Sequence, residues 1–244
     1  MLVLIYFLFT ELLYYNLNMK GNDNMYTVPK NLVFVSGCHG SGKDYLIDQY
    51  FDWYEEHKSK LDYKAIRYNK CEMTSFTNIY ERQIRRIAKY AIDFRRILTL
   101  CSRNPDYVVV TDRCPVLDPY CYINAFYRLE YIDKEVKDHL LKILDDTFSF
   151  WNKNEILKRV FLLIDYDDNI IEKIKKRGAG KWNEDDERYT KTVAAEYRII
   201  SSGDVGQEAN MMYDNNVLKK FKQFVRSSSD NTITYHPYAD MKGM

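Results

Sequence analysis

The amino-acid sequence predicts an α/β fold: a five-stranded, mainly parallel sheet with helices on both faces and a small basic lid. Three observations carry this. The apolar runs LVFVS at 32–36, YVVVT at 107–111 and RVFLLID at 159–165 are continuous rather than alternating, as in strands covered on both faces. Segments of helical period separate them, which supplies the crossovers a parallel sheet needs. Three of the nine glycines fall between residues 37 and 42, directly behind the first run, so the backbone has a tight task there.

The elements follow in order. Residues 32–36 form the first strand. Residues 43–57 form a helix with Leu46, Ile47, Tyr50, Phe51 and Tyr54 on one side. YKAIRYN at 63–69 is the second strand. Residues 74–101 carry a long helical pattern through Ile79, Ile84, Ile87, Ala91, Phe94, Ile97 and Leu98. YVVVT is the third strand, and helices over 117–130 and 133–152 follow it. RVFLLID is the fourth strand, leading into a helix over 168–177. Another helix spans 185–201. NMMYD at 210–214 is a weak fifth strand, and 216–226 is the last helix. The tail beyond Arg226 is polar, and TITYHPY within it is at most a short strand.

A chain of 244 residues with 46% hydrophobic and 29% charged residues builds a core and is not disordered. Thirty-six Lys plus Arg against 35 Asp plus Glu leave a net charge of +1. That argues against a protein that coats nucleic acid or an anionic membrane. The five cysteines, Cys38, Cys71, Cys101, Cys114 and Cys121, form no CxxC pair. The chain therefore shows neither a disulfide framework nor zinc spacing, and a reducing, cytoplasmic compartment is expected.

Residues 1–24 read as an apolar extension ahead of a domain over 25–244. LVLIYFLFTELLYY at 2–15 carries only Glu11 as a charge, but is shorter than the roughly 20 residues of a spanning helix. It lacks the basic start and small-residue cleavage site of a secretory signal. Three readings stay open: a packing or membrane-surface extension, a signal-anchor, or a translation start set ahead of Met19 or Met25.

Ligands of parallel sheets bind at the carboxyl ends of the strands, and the chemistry-bearing residues cluster there. Gly37-Cys38-His39-Gly40-Ser41-Gly42-Lys43-Asp44 matches G-x-x-x-x-G-K and departs only at the last place, where Ser or Thr is usual. Such glycines let backbone N–H groups turn toward phosphate oxygens, the following helix adds its positive end, and Lys43 adds a point charge. Asp44 is an oxygen ligand for Mg²⁺ that also sets a negative charge beside a triphosphate. The third strand ends in Thr111-Asp112-Arg113: alone a surface ion pair, but behind a phosphate loop a carboxylate for Mg²⁺ and a guanidinium for a phosphate or an acceptor. Glu72, just past the second strand, has the chemistry of a general base, and reads equally as a solvent-facing glutamate that caps the next helix. Lys173, Lys175, Lys176, Arg177 and Lys181 crowd one end of the helix after strand four. They either complement a helix terminus or form a lid that brings Arg177 onto a transferring phosphoryl group.

These parts in this order resemble the deoxynucleoside kinase and thymidylate kinase superfamily of P-loop kinases, from about Asn31 to Arg226. GCHGSGK looks like the family phosphate loop. Glu72 stands where nucleoside kinases place their base. TDRC is similar to their Glu-Arg-Ser motif or the Asp-Arg-Tyr motif of thymidylate kinases. FLLIDYDDNIIEKIKKRG resembles the strand and helix leading into the arginine lid, and ERYTKTVAAEY, with Tyr189 and Tyr197, resembles the helix after it. Asp44, Met73 in place of a proline, Cys114 in place of Ser or Tyr, and Ala179 in place of a second lid arginine depart from the pattern.

The resemblance implies ATP and Mg²⁺ as cofactors and transfer of the γ-phosphoryl group to the 5′-hydroxyl of a deoxynucleoside. Glu72, Asp112, Arg113 and Arg177 would be the catalytic residues, residues 37–44 the nucleotide loop, and Asp44 and Asp112 the metal ligands. Asp118, six residues after Asp112, favours a nucleoside acceptor within that pattern. It also implies a homodimer built through helices. Two rivals stand beside it. A monophosphate kinase needs further cations near Arg113, and Arg82, Arg85, Arg86, Arg95 and Arg96 supply them unless they only solvate the outer face of their helix. A non-catalytic nucleotide-binding protein is the reading that Asp44 favours.

Overall fold

The computed structural model describes residues 27–69, 78–163, 170–176, 186–202 and 216–229. Among them are four strands, β1 (Leu32–Gly37), β2 (Lys64–Tyr68), β3 (Tyr107–Asp112) and β4 (Val160–Leu163). They form one sheet in the order β2-β3-β1-β4. Every pairing is parallel, with Phe34 opposite Thr111 and Val160, and Val35 opposite Asp112 and Phe161. The expected parallel α/β sheet is therefore present. The fifth strand expected at 210–214 lies outside the described residues, as does the TITYHPY segment.

The helices are α1 (Lys43–His57), α2 (Ile79–Arg103), α3 (Leu117–Arg128), α4 (Lys134–Phe148), α5 (Lys153–Leu157), α6 (Ile170–Lys176), α7 (Glu187–Ser202) and α8 (Val217–Ser229). They lie on both sheet faces because strand side chains alternate. Leu32, Phe34, Val109, Val160 and Leu162 face a core shared with α2, α3, α4 and α7. Val33, Val35, Val108, Val110, Phe161 and Leu163 face a second core, built with Tyr50 of α1 and Phe221 and Val225 of α8. Both faces are apolar, and this is why the strand runs are continuous in sequence.

Two helix boundaries differ from expectation for local reasons. The long helix starts at Ile79 because the Asn78 side chain accepts a hydrogen bond from the Glu81 N–H at 2.8 Å, a strong N-cap. The segment expected as one helix over 133–152 stops at Phe148, where the Trp151 N–H turns back to the Phe148 carbonyl. Asn152 then caps the short α5 through the Asn154 N–H. No helix among the described residues is long and apolar enough to cross a membrane; residues 1–24 lie outside them.

Candidate functional site at the strand tips

The loop from β1 to α1 is shaped by its glycines. Gly40 and Gly42 take left-handed conformations, with φ of 74° and 84°, which glycine adopts without steric cost. Gly37 has another reason: a Cβ there would lie 2.3 Å from the Leu163 carbonyl oxygen of β4. Lys43, the first residue of α1, folds back into this loop. Its Nζ donates to the Cys38 carbonyl at 2.6 Å and to Ser41 Oγ at 3.4 Å. Burial pushes the ammonium down to about 8, and the nearby Arg113 guanidinium acts in the same direction. A cation so placed gains from the arrival of an anion. Asp44 is exposed on the first turn of α1.

The neighbouring tip, β3, delivers Asp112 and Arg113. Asp112 pairs with Val35 of β1, so it ends its strand beside the loop. The Arg113 N–H donates to the Val35 carbonyl at 2.8 Å, and its φ is 71°. A non-glycine residue in that region costs on the order of 1–2 kcal/mol. The conformation aims the guanidinium at three acceptors: Nη1 donates to Asp118 Oδ1 at 3.1 Å, to the Tyr122 hydroxyl at 2.9 Å and, at 3.5 Å, to the Gly37 carbonyl.

Asp118, on the first turn of α3, is fully buried and is the hub of this end of the sheet. Its Oδ2 accepts from Ser36 Oγ at 2.6 Å and the Cys114 N–H at 2.7 Å. Its Oδ1 accepts from Arg113 and from the Tyr197 hydroxyl of α7, the latter at 2.6 Å. Four donors satisfy both oxygens of a buried carboxylate, the condition for keeping one there. The sequence pattern noted Asp118 as a pointer to the acceptor; its oxygens are committed to these four donors instead.

Tyr122, one helical turn after Asp118, was not singled out from the sequence. Burial pushes its phenol up to about 12, so the hydroxyl stays neutral. Besides Arg113 it meets His39 Nε2 of the loop at 2.8 Å. The Arg86 guanidinium of α2 lies 4.1 Å from its ring centroid. Arg86 is itself buried, and Nη1 donates to Gln83 Oε1 at 3.2 Å. Among the described residues no carboxylate forms an ion pair with Arg86. The i, i+4 spacing of Asp118 and Tyr122 on a helix was the available signal. Ser36, the last serine of the first strand, carried none.

Beside Arg113, between α2 and the tips of β2 and β3, lies a narrow cleft with a volume of about 10 Å³. Phe34, Tyr68, Tyr90, Phe94 and Ile97 give it apolar and aromatic walls, and Asp112 and Arg113 stand at its polar end. Asp93 in its wall accepts from Tyr68 Oη at 3.0 Å and pairs with Lys89 Nζ at 2.5 Å.

The structure thus gathers Gly37, Cys38, His39, Gly40, Ser41, Gly42, Lys43, Asp44, Asp112 and Arg113 at the carboxyl ends of the two central strands. Glu72, Arg177 and Lys181 lie outside the described residues. Among the described residues no cluster of three or more His, Cys, Asp or Glu suits a metal ion; the expected ligands are two carboxylates, Asp44 and Asp112, the latter at the strand tip. Comparison with protein-family models returned no match, and comparison with curated proteins returned none.

Proposed function

We propose that this chain is an ATP-dependent phosphotransferase that acts on a nucleoside-type acceptor seated in the cleft at Asp112 and Arg113. The observation that carries the reading is the placement of Lys43. Its ammonium is buried inside a glycine-built loop at a strand tip, held on a carbonyl oxygen, with Asp112 and Arg113 on the adjacent strand. A triphosphate would take over the Lys43 ammonium and the loop N–H groups. Asp112 and Asp44 offer the hard oxygen ligands that Mg²⁺ prefers, and phosphate oxygens and water fill the remaining octahedral positions. Bound Mg²⁺ would neutralise charge on the phosphates. Arg113 orients the acceptor, and Arg177 is assigned to close over the phosphoryl group.

Two acceptors suit the polar groups at the end of this cleft. For a nucleoside, Glu72 removes the proton of the 5′-hydroxyl. For a nucleoside monophosphate the acceptor is already an anion and needs cations. A specific observation favours the monophosphate: among the described residues, Arg86 is buried beside Tyr122 with Gln83 and an aromatic face as partners and no carboxylate in an ion pair with it. A buried guanidinium without a carboxylate is costly unless an anion arrives. Thermal-shift screening of the four deoxynucleosides against their 5′-monophosphates separates the two, because a bound ligand stabilises the fold. Monophosphates are expected to give the larger shifts; shifts from nucleosides alone would return the assignment to the nucleoside kinase. ATP binding that survives Lys43→Ala unchanged would remove both.

A further inference from the structure

We propose that His39 is a positioning residue that couples the nucleotide loop to Arg113 through the hydroxyl of Tyr122. The proposal rests on the phosphotransferase reading above, and concerns a side chain for which that reading has no use. His39 sits in the middle of the loop. Its Nε2 is 2.8 Å from the Tyr122 hydroxyl. Its ring centroid lies 5.4 Å from that of Tyr122 and 6.0 Å from that of Tyr189 on α7. On its other side the same hydroxyl receives Arg113 Nη1 at 2.9 Å.

Counting protons fixes the direction of this chain. A guanidinium only donates. The Tyr122 oxygen therefore accepts from Arg113, and its single proton is left for His39. In this direction Nε2 holds a lone pair and the imidazole carries its proton on Nδ1, the tautomer the proposal assigns. The opposite arrangement turns the hydroxyl proton away from its nearest acceptor inside a buried site. A charged imidazole would add a cation beside Arg113 and Arg86.

The consequence is mechanical. A loop that turns its N–H groups onto a phosphate shifts its own backbone, and residue 39 is at its centre. His39 passes that shift to the Tyr122 hydroxyl, and the hydroxyl passes it to a guanidinium that Asp118 holds from the other side. Loop occupancy thereby sets Arg113 for the acceptor. Linkage requires the reverse as well, that a bound acceptor tightens nucleotide binding by the same factor.

The test measures this coupling directly. Calorimetry would titrate each deoxynucleoside and each 5′-monophosphate into the protein, with and without Mg²⁺ and the non-hydrolysable analogue AMP-PNP. In the wild type, AMP-PNP is expected to tighten acceptor binding on the order of tenfold. His39→Leu and Tyr122→Phe should each abolish that enhancement. The double variant should lose no more than either alone, and His39→Gln, which retains an acceptor atom, should restore part of it. Additive losses, or an enhancement that persists in His39→Leu, would overturn the proposal, as would its absence from the wild type. A second measurement needs no variant: ¹⁵N NMR of the histidine ring should show the Nδ1-protonated tautomer for His39, and the Nε2-protonated form would refute the relay. Failure of the phosphotransferase reading looks different, since AMP-PNP would then bind wild type and Lys43→Ala alike.

Discussion

The Tyr197 hydroxyl donates to Asp118 Oδ1 at 2.6 Å, and so ties α7 to the carboxylate that holds Arg113. The two residues are 79 positions apart. Their contact joins the helix behind the basic segment to the turn that follows β3.

Asp118 is expected to be among the least replaceable side chains. Asp118→Ala leaves the Arg113 guanidinium buried without its counter-charge, a change that costs about 3–5 kcal/mol. Tyr197→Phe removes one hydrogen bond to a charged group and should cost about 1.5–3 kcal/mol. Urea denaturation monitored by fluorescence measures both; a Tyr197→Phe protein of unchanged midpoint would contradict the hub.

Lys43 makes the free protein sensitive to alkali in an unusual direction. Its folded value is lowered from 10.5 to about 8. Between those values the unfolded chain binds the proton that the folded chain has released, so stability rises with pH across that window. Below pH 8 the buried ammonium costs on the order of 3 kcal/mol. Lys43→Met should therefore melt higher than wild type at pH 7 without ligand, and yet lose ATP binding. Wild-type protein should also take up a proton when ATP binds near pH 8.5, visible as a buffer-dependent enthalpy in calorimetry. A fall in wild-type stability from pH 8 to 10 would remove Lys43 as the dominant group.

Under the proposed function, Asp44 would be an oxygen ligand of Mg²⁺. Asp44→Ala should then raise the Mg²⁺ concentration for half-maximal turnover by about tenfold, and Asp44→Ser should bring it back, because a hydroxyl is an oxygen ligand without the charge. An unchanged Mg²⁺ requirement in Asp44→Ala would take the residue out of the metal site.

Under the proposed function, Arg86 and Glu72 would distinguish the two acceptors. Arg86→Met keeps volume and removes a buried charge, so its stability should be equal or higher. Its monophosphate affinity should fall by about tenfold to a hundredfold, as for a lost hydrogen bond to a charged group, with nucleoside affinity unmoved. Glu72→Gln should lower kcat by about two to four orders of magnitude on a nucleoside and much less on a monophosphate. A folded Glu72→Gln protein with full turnover on a nucleoside would end the base assignment.

What was legible in the sequence was whatever depends on neighbours along the chain. The glycine spacing before Lys43 announced the loop, and continuous apolar runs announced β1, β3 and β4. The bounds of α1 were readable because a glycine and a lysine open it. What was not legible depends on residues brought together from afar. Ser36 and Asp118 are 82 positions apart, and nothing local in either marks a shared hydrogen bond. His39 and Tyr122 are 83 apart. Arg86 read equally well as a solvated helix face, because helical period says which residues share a side and not what that side meets.

The two apolar cores described above divide the labour of the molecule. Phe34, Phe94, Tyr122, Tyr189 and Tyr197 belong to one of them, and they are the side chains on which the cleft and the hub are mounted. Tyr50, Phe161 and Phe221 belong to the other, which meets the strand tips through Val35 and Leu163 and through the start of α1 at Lys43. Under the proposed function, a lineage adapting to a new acceptor would rewrite mainly one side of the sheet while most of the opposite side served as a foundation. An engineer seeking thermal robustness would work on that foundation first, replacing residues under α1 and α8 without entering the territory of the substrate.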